Sequence, residues 1–180
     1  MTKEQANKAT VSRWFTSFWG EVCDLRIADE LAAMAAEYGL NPSSIALEVT
    51  ETALIDQAPL TRRELARLRE AGFRLILDDF GLGTSSFNWL ADEPIDGLKI
   101  DRSLIAAIEH DQRRRVLVAA IVGLARQLEL EVVAEGVETC GQRELLLGLG
   151  CDLAQGFLFS GPKPADQALF AQHQALPPCC

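Results

Sequence analysis

The run FRLILDDFGLGTSS, residues 73–86, joins three signals in quick succession. Phe73–Leu77 is an apolar stretch of strand length. It stops on two adjacent carboxylates, Asp78 and Asp79. A loop punctuated by Gly81 and Gly83 follows, and glycine lets a loop bend tightly. Adjacent residues on a regular strand point to opposite faces, so the two aspartates can reach one ligand only where the chain begins to turn. Two hard oxygen donors at such a point suit Mg2+, Mn2+ or Ca2+. Taken alone, the pair is equally the capping chemistry of a solvated turn.

The same design repeats on both sides. Ile45–Val49 (IALEV) carries Glu48 and leads to Glu51. Ile95–Ile100 (IDGLKI) carries Lys99 and leads to Asp101. Glu131–Ala134 (EVVA) runs into Glu135 and Glu138, and Cys151–Ala154 runs into Gln155. Helical patterns separate these strands. Ile27, Leu31, Met34, Ala35 and Tyr38 form a stripe that ends at Gly39. Thr61 stands three residues before Glu64, a capping-box spacing, with Leu65 and Leu68 behind it. Val116, Leu117, Ala120, Ile121, Leu124 and Leu128 keep helical spacing. Thr139 and Gln142 repeat the capping box ahead of Leu145, Leu146 and Leu149.

Strands joined by helical crossovers pair in parallel. An open doubly wound sheet would gather function only at its switch point. Here each strand in turn ends on a charged or amide residue, as barrel enzymes do. The expected fold is therefore α/β, a TIM-like (β/α) barrel. Such a barrel uses eight strands and typically about 200 residues or more. Five strands are legible, and Thr10–Phe15 is a candidate for one more, so the barrel is expected to be incomplete or rebuilt at its N-terminal strands.

Composition narrows the function. A chain of 180 residues with 48% hydrophobic residues supports one domain. The net charge of −9 argues against a long nucleic acid as partner, yet leaves room for a small anion bridged by metal. No apolar run reaches the roughly 18 residues of a membrane helix, and the N-terminus lacks the apolar segment of a secretory signal. The five cysteines lack CxxC spacing and are odd in number, so reduced thiols and a cytoplasmic location are expected. Glu48 and Lys99 sit within apolar runs. A buried charge needs a partner, whether in a site or in a structural Glu–Lys pair. Thr84, Ser85 and Ser86 read either as phosphate donors or as a helix cap.

The segments LEVTE, LDDFGLGTSS, IDGLKIDRSL, VVAEGVET and GCDLAQGFLFSGP resemble, in order, consecutive motifs of the EAL domain family. The likeness runs from about Ile27 to Pro164. It implies an EAL-type barrel over residues 23–180, behind a divergent segment 1–22. The family hydrolyses cyclic di-GMP to the linear dinucleotide pGpG with Mg2+ or Mn2+, and Ca2+ inhibits it. By resemblance, Glu48, Asp78 and Asp79 are metal ligands. Lys99 lies near the attacking water, Glu135 is a further catalytic glutamate, and Gln155 faces the substrate. Glu51 holds the loop of Gly81 and Gly83, with Glu138 in support.

The chain also departs from the pattern. No Glu-Ala-Leu tripeptide occurs in it, and TVSRW would put Ala9 where the first-strand glutamate belongs. Asn7 is the only early asparagine that could stand for the family's second-strand ligand. Leu82 and Thr84 replace a threonine and an aromatic, and Gly161 stands where arginine is common. Hard-cation affinity follows ligand number and charge. Hydrolysis by this chain is therefore expected to be weak or lost. The alternative is a degenerate domain that senses cyclic di-GMP or binds a protein. Missing strands would expose sheet edges, so a homodimer or a strand-exchanged dimer is a further expectation.

Overall fold

The computed structural model describes residues 27–50, 58–81, 90, 94–151 and 153–161. These fall into two compact units. Of the described residues, one comprises 27–47 and 58–74, and the other comprises 48–50 and those from Leu75 to Gly161. The strand expected at Thr10–Phe15 lies outside the described residues.

The first unit holds α1 (Ile27–Glu37), a 3-10 turn at Pro42–Ser44 and α2 (Ala58–Glu70). The first residues of β1 (Ala46–Thr50) also belong to it. Helix α1 buries Ile27, Leu31 and Ala35 of the expected stripe and also Ala28, whereas Tyr38 is exposed. It stops at Gly39, whose φ of 64° lets Leu40 N–H return to Ala35 O. Helix α2 begins three residues before Thr61, so the expected capping box is not its start. Glu64 does different work. Its buried carboxylate accepts the Ala28 N–H at 2.8 Å, capping a neighbouring helix rather than its own. Arg67 then spans Glu64 at 3.2 Å and Asp29 at 2.8 Å. A helix's first N–H groups have no partner within the helix, so a carboxylate there satisfies a donor and favours the dipole.

The second unit is built on a sheet of order β1-β2-β3-β4-β5, with β2 at Arg74–Phe80, β3 at Gly97–Ile100, β4 at Glu131–Ala134 and β5 at Leu153–Ala154. The β2–β3, β3–β4 and β4–β5 pairs are all parallel. Each strand lies beside its successor in the chain. No reversal of order creates a switch point, which is the succession of barrel strands and not of a doubly wound sheet. Among the described residues the sheet has five strands and does not close.

Short helices return the chain between strands. Asp101 caps α3 (Arg102–Ile105) by accepting from Ser103 N at 2.7 Å. Asp111 caps α4 (Gln112–Gln127), which packs against β3 and β4. Thr139 and Gln142 form the expected capping box of α5 (Cys140–Leu149), which ends at Gly150 with φ 86°. Leu98, Ile100, Ile105, Ile108, Val118, Val122, Val137 and Leu146 are fully buried. Each such side chain stabilises by about 1.5–3 kcal/mol relative to exposure. Cys151 is a free, buried thiol, but Cys140 is disulfide-bonded, so the expectation of reduced cysteines fails at Cys140. Among the described residues no helix is long and apolar enough to cross a membrane.

Replacing Glu64 with alanine leaves the Ala28 N–H buried without its acceptor, and should cost about 1–3 kcal/mol in urea unfolding. Asp29→Ala, which removes only the exposed arm of the bridge, should cost under about 1 kcal/mol.

Candidate functional site

The aspartate pair does not end β2 as the sequence suggested; the strand continues through both to Phe80. The register explains how they serve one side. Leu77 pairs with Leu98 and Phe80 with Ile100, so two residues, Asp78 and Asp79, stand opposite the single Lys99. This is a β-bulge, which re-aims side chains. Asp79 carries the distortion with φ 57°, a left-handed conformation that aspartate tolerates better than most residues. Gly81 follows at φ 104°, where an added Cβ would press into the Leu104 side chain. Gly83 and Glu51 lie outside the described residues, as do Leu82, Thr84, Ser85 and Ser86.

Lys99 is the centre of the arrangement. It is buried within β3, and its Nζ lies 2.6 Å from Glu135 Oε1, 2.9 Å from Glu48 Oε2 and 3.0 Å from Asp78 Oδ1. Burial pushes the ammonium toward neutrality. The bonds to Glu135, Glu48 and Asp78 outweigh it and hold Lys99 above its ordinary pKa, so it is cationic at neutral pH. Glu135 follows β4 directly, its N–H bonded to Ile100 O. Gln155 follows β5, its backbone held by Ala134 O and Val137 N, and its Nε2 donates to Glu135 Oε1 at 2.6 Å. Four consecutive strands therefore deliver Glu48, Asp78, Lys99 and Glu135 to one cluster, and the fifth brings Gln155.

Glu48 differs from expectation. Strand β1 alternates exposed and buried residues, and Glu48 lies on the exposed side with its side chain 52% accessible. It has the cationic partner its position called for, yet it is not a buried charge. Glu138 contributes its backbone N–H to Gln142 Oε1 at 2.7 Å, within the α5 cap.

The donor set fits a divalent cation. Asp78, Asp79 and Glu135 each offer an oxygen, all within 4.8 Å of one another. A Mg2+, Mn2+ or Ca2+ ion sits about 2.0–2.6 Å from its oxygen ligands, so one ion can reach all three. Asp78 Oδ1 is buried, and apart from the Lys99 ammonium at 3.0 Å it has no partner, so it keeps acceptor capacity. Burial, then the negative charges of Asp78 and Asp101, raise the Asp79 carboxyl above its ordinary pKa. The sequence marks Asp101 only as the polar residue that follows its strand, with no role in the site. Its readable signal is the Asp-x-Ser cap spacing, which holds it at 6% exposure beside the site.

The EAL domain family profile matches residues 20–162. The cyclic di-GMP phosphodiesterase RocR of Pseudomonas aeruginosa is 38% identical over 143 residues, which is 79% of this chain and 36% of RocR. A solved structure of the PaMucR phosphodiesterase in complex with c-di-GMP is 40% identical with a TM-score of 0.77, covering 86% of this chain and 61% of that one. Klebsiella pneumoniae BlrP1 in a manganese/cy-diGMP complex is 38% identical with a TM-score of 0.72, over 74% of this chain and 34% of that one. The chain thus spans less than two thirds of the length of these relatives.

The Asp79 shift gives a pH prediction. A carboxyl with a raised folded pKa contributes stability at low pH that is lost as pH rises through that pKa. Asp79→Asn should therefore melt above the wild type at pH 7 in EDTA, with the gap closing toward pH 4. The same variant should lose the thermal stabilisation that Mn2+ gives the wild type.

Proposed function

Because the chain belongs to the EAL domain family, we propose that it binds cyclic di-GMP through a divalent cation on Asp78, Asp79 and Glu135, and opens the ring to pGpG slowly. The observation that carries this reading is the bulge that sets Asp78 and Asp79 opposite Lys99, within reach of Glu135. In the reaction, water adds to one phosphorus, the P–O3′ bond breaks, and the departing 3′-oxygen takes a proton. A bound Mg2+ or Mn2+ would supply an acidified water and charge neutralisation for the phosphate oxygens.

The protein's own groups divide the remaining work. Glu135, held by Gln155, is positioned to receive a proton from the attacking water. Lys99 stays protonated and offers positive charge where negative charge builds on phosphorus. Gln155 fixes the Glu135 carboxylate and shows its amide to the ligand side. Glu48 anchors Lys99 from the exposed edge. Ca2+ accepts longer bonds and looser geometry, so it would fill the same oxygens without ordering them for reaction.

The missing Glu-Ala-Leu motif supports a second reading, binding without turnover. First-strand carboxylates would add charge to the cation, and without them affinity and rate both fall. One assay separates the two. Incubation with cyclic di-GMP and Mn2+ should yield pGpG, and Asp78→Asn should reduce it to below about one hundredth. Calorimetric binding with no pGpG above the Asp78→Asn background would establish the sensor reading. No binding with or without metal would sink both.

A further inference from the structure

Glu135 Oε1 is already fully engaged before any cation arrives. It accepts Lys99 Nζ at 2.6 Å and Gln155 Nε2 at 2.6 Å, which occupies both of its lone pairs. Lys99 also lies 3.0 Å from Asp78 Oδ1. The ammonium therefore holds two of the three carboxylates that could grip a divalent ion. Its third partner, Glu48, is outside that group of three and half open to solvent.

We propose that Lys99 is a built-in counter-ion that exchanges places with the divalent cation, withdrawing its Nζ toward Glu48 as the cation takes Asp78 and Glu135. The inference rests on the reading of Asp78, Asp79 and Glu135 as a cation site, and adds how that site is filled and emptied. The backbone of Lys99 is fixed from both sides, by Ile76, Leu77 and Phe80 of β2 around the bulge and by the Lys99–Val133 register with β4. Only the end of its side chain can move. Its stem is buried, with 8% of the side chain accessible, so the ammonium cannot swing into bulk water. Glu48 at 2.9 Å is the one carboxylate of its three that a cation on the other two would leave free. Two cations on the same carboxylate oxygens repel one another strongly near a protein surface.

Glu48 thereby acquires a positioning role distinct from that of a metal ligand. As a ligand it would hold the cation whether or not Lys99 is present. As the partner that receives Lys99, it matters only while Lys99 is there.

A double-mutant cycle read by Mn2+ calorimetry tests this on the full chain. Lys99→Met should bind Mn2+ about tenfold tighter than wild type or better, since the competing charge is gone. Glu48→Gln should bind it several-fold more weakly. In the Lys99→Met background, Glu48→Gln should have no further effect. Lys99→Met binding no tighter, or Glu48→Gln costing as much in both backgrounds, would overturn the exchange. Wild type that takes up no Mn2+ would instead overturn the cation site itself. If Lys99→Met does not fold, the Lys99 ammonium resonance of 15N-labelled wild type decides. It should shift with added Mg2+ along the binding isotherm, and an unmoved resonance at saturation would overturn the exchange.

Discussion

One ammonium surrounded by carboxylates sets the terms for the rest of this structure. Lys99 is buried in the middle of a four-residue strand whose every position is buried. A lone cation there would be driven to neutrality. It stays charged because three different strand ends bring it carboxylates, and those carboxylates tolerate one another because it is there. At about 4 Å, like charges repel by roughly 1 kcal/mol in water and several-fold more near a protein surface. Each partner is therefore a condition for the others, and the strand order that brings them together is a condition for all. Sequential parallel pairing places the C-terminal ends of β1 to β4 beside one another, so residues that are 87 positions apart in the chain, Glu48 and Glu135, meet on the same nitrogen.

Much of this was legible in the chain. The four-residue strand β4 occupies the expected positions, and the Thr139–Gln142 capping box forms as its spacing predicts. The polar residue at the end of each strand was the signal for a barrel, and Lys99, Glu135, Gln155 and Asp78 do converge. What could not be read was the way two neighbouring aspartates come to serve one side. An alternating strand forbids it, and the sequence suggested a turn. The structure uses an extra residue within the strand, a device that depends on the partner strand's register and leaves no local trace beyond the pair itself.

Two other differences have the same origin in tertiary context. Thr61 and Glu64 satisfy the spacing of a capping box, yet α2 has already begun, and Glu64 is engaged by Ala28 from another helix. Spacing names the residues that are able to cap and is silent on which helix they cap. Glu48 was expected to be buried because its strand is apolar. A two-sided strand with one open face gives the same apolar residues at Leu47 and Val49 while leaving Glu48 half accessible.

The charge count of the cluster constrains what it can recognise. Glu48, Asp78, Asp79 and Glu135 against Lys99 leave three formal negative charges when all are ionised, in a chain already at −9. A cyclic dinucleotide carries two phosphodiester charges of the same sign, so the bare site repels it. One divalent cation reduces the site to a single negative charge, and a second reverses its sign. On the proposed reading, attraction for an anionic ligand would grow with cation occupancy, and the affinities of the two would be linked in both directions. The carboxylates alone cannot select a phosphodiester. On that reading their charge would make selection conditional on metal, and Lys99 lowers that charge by one.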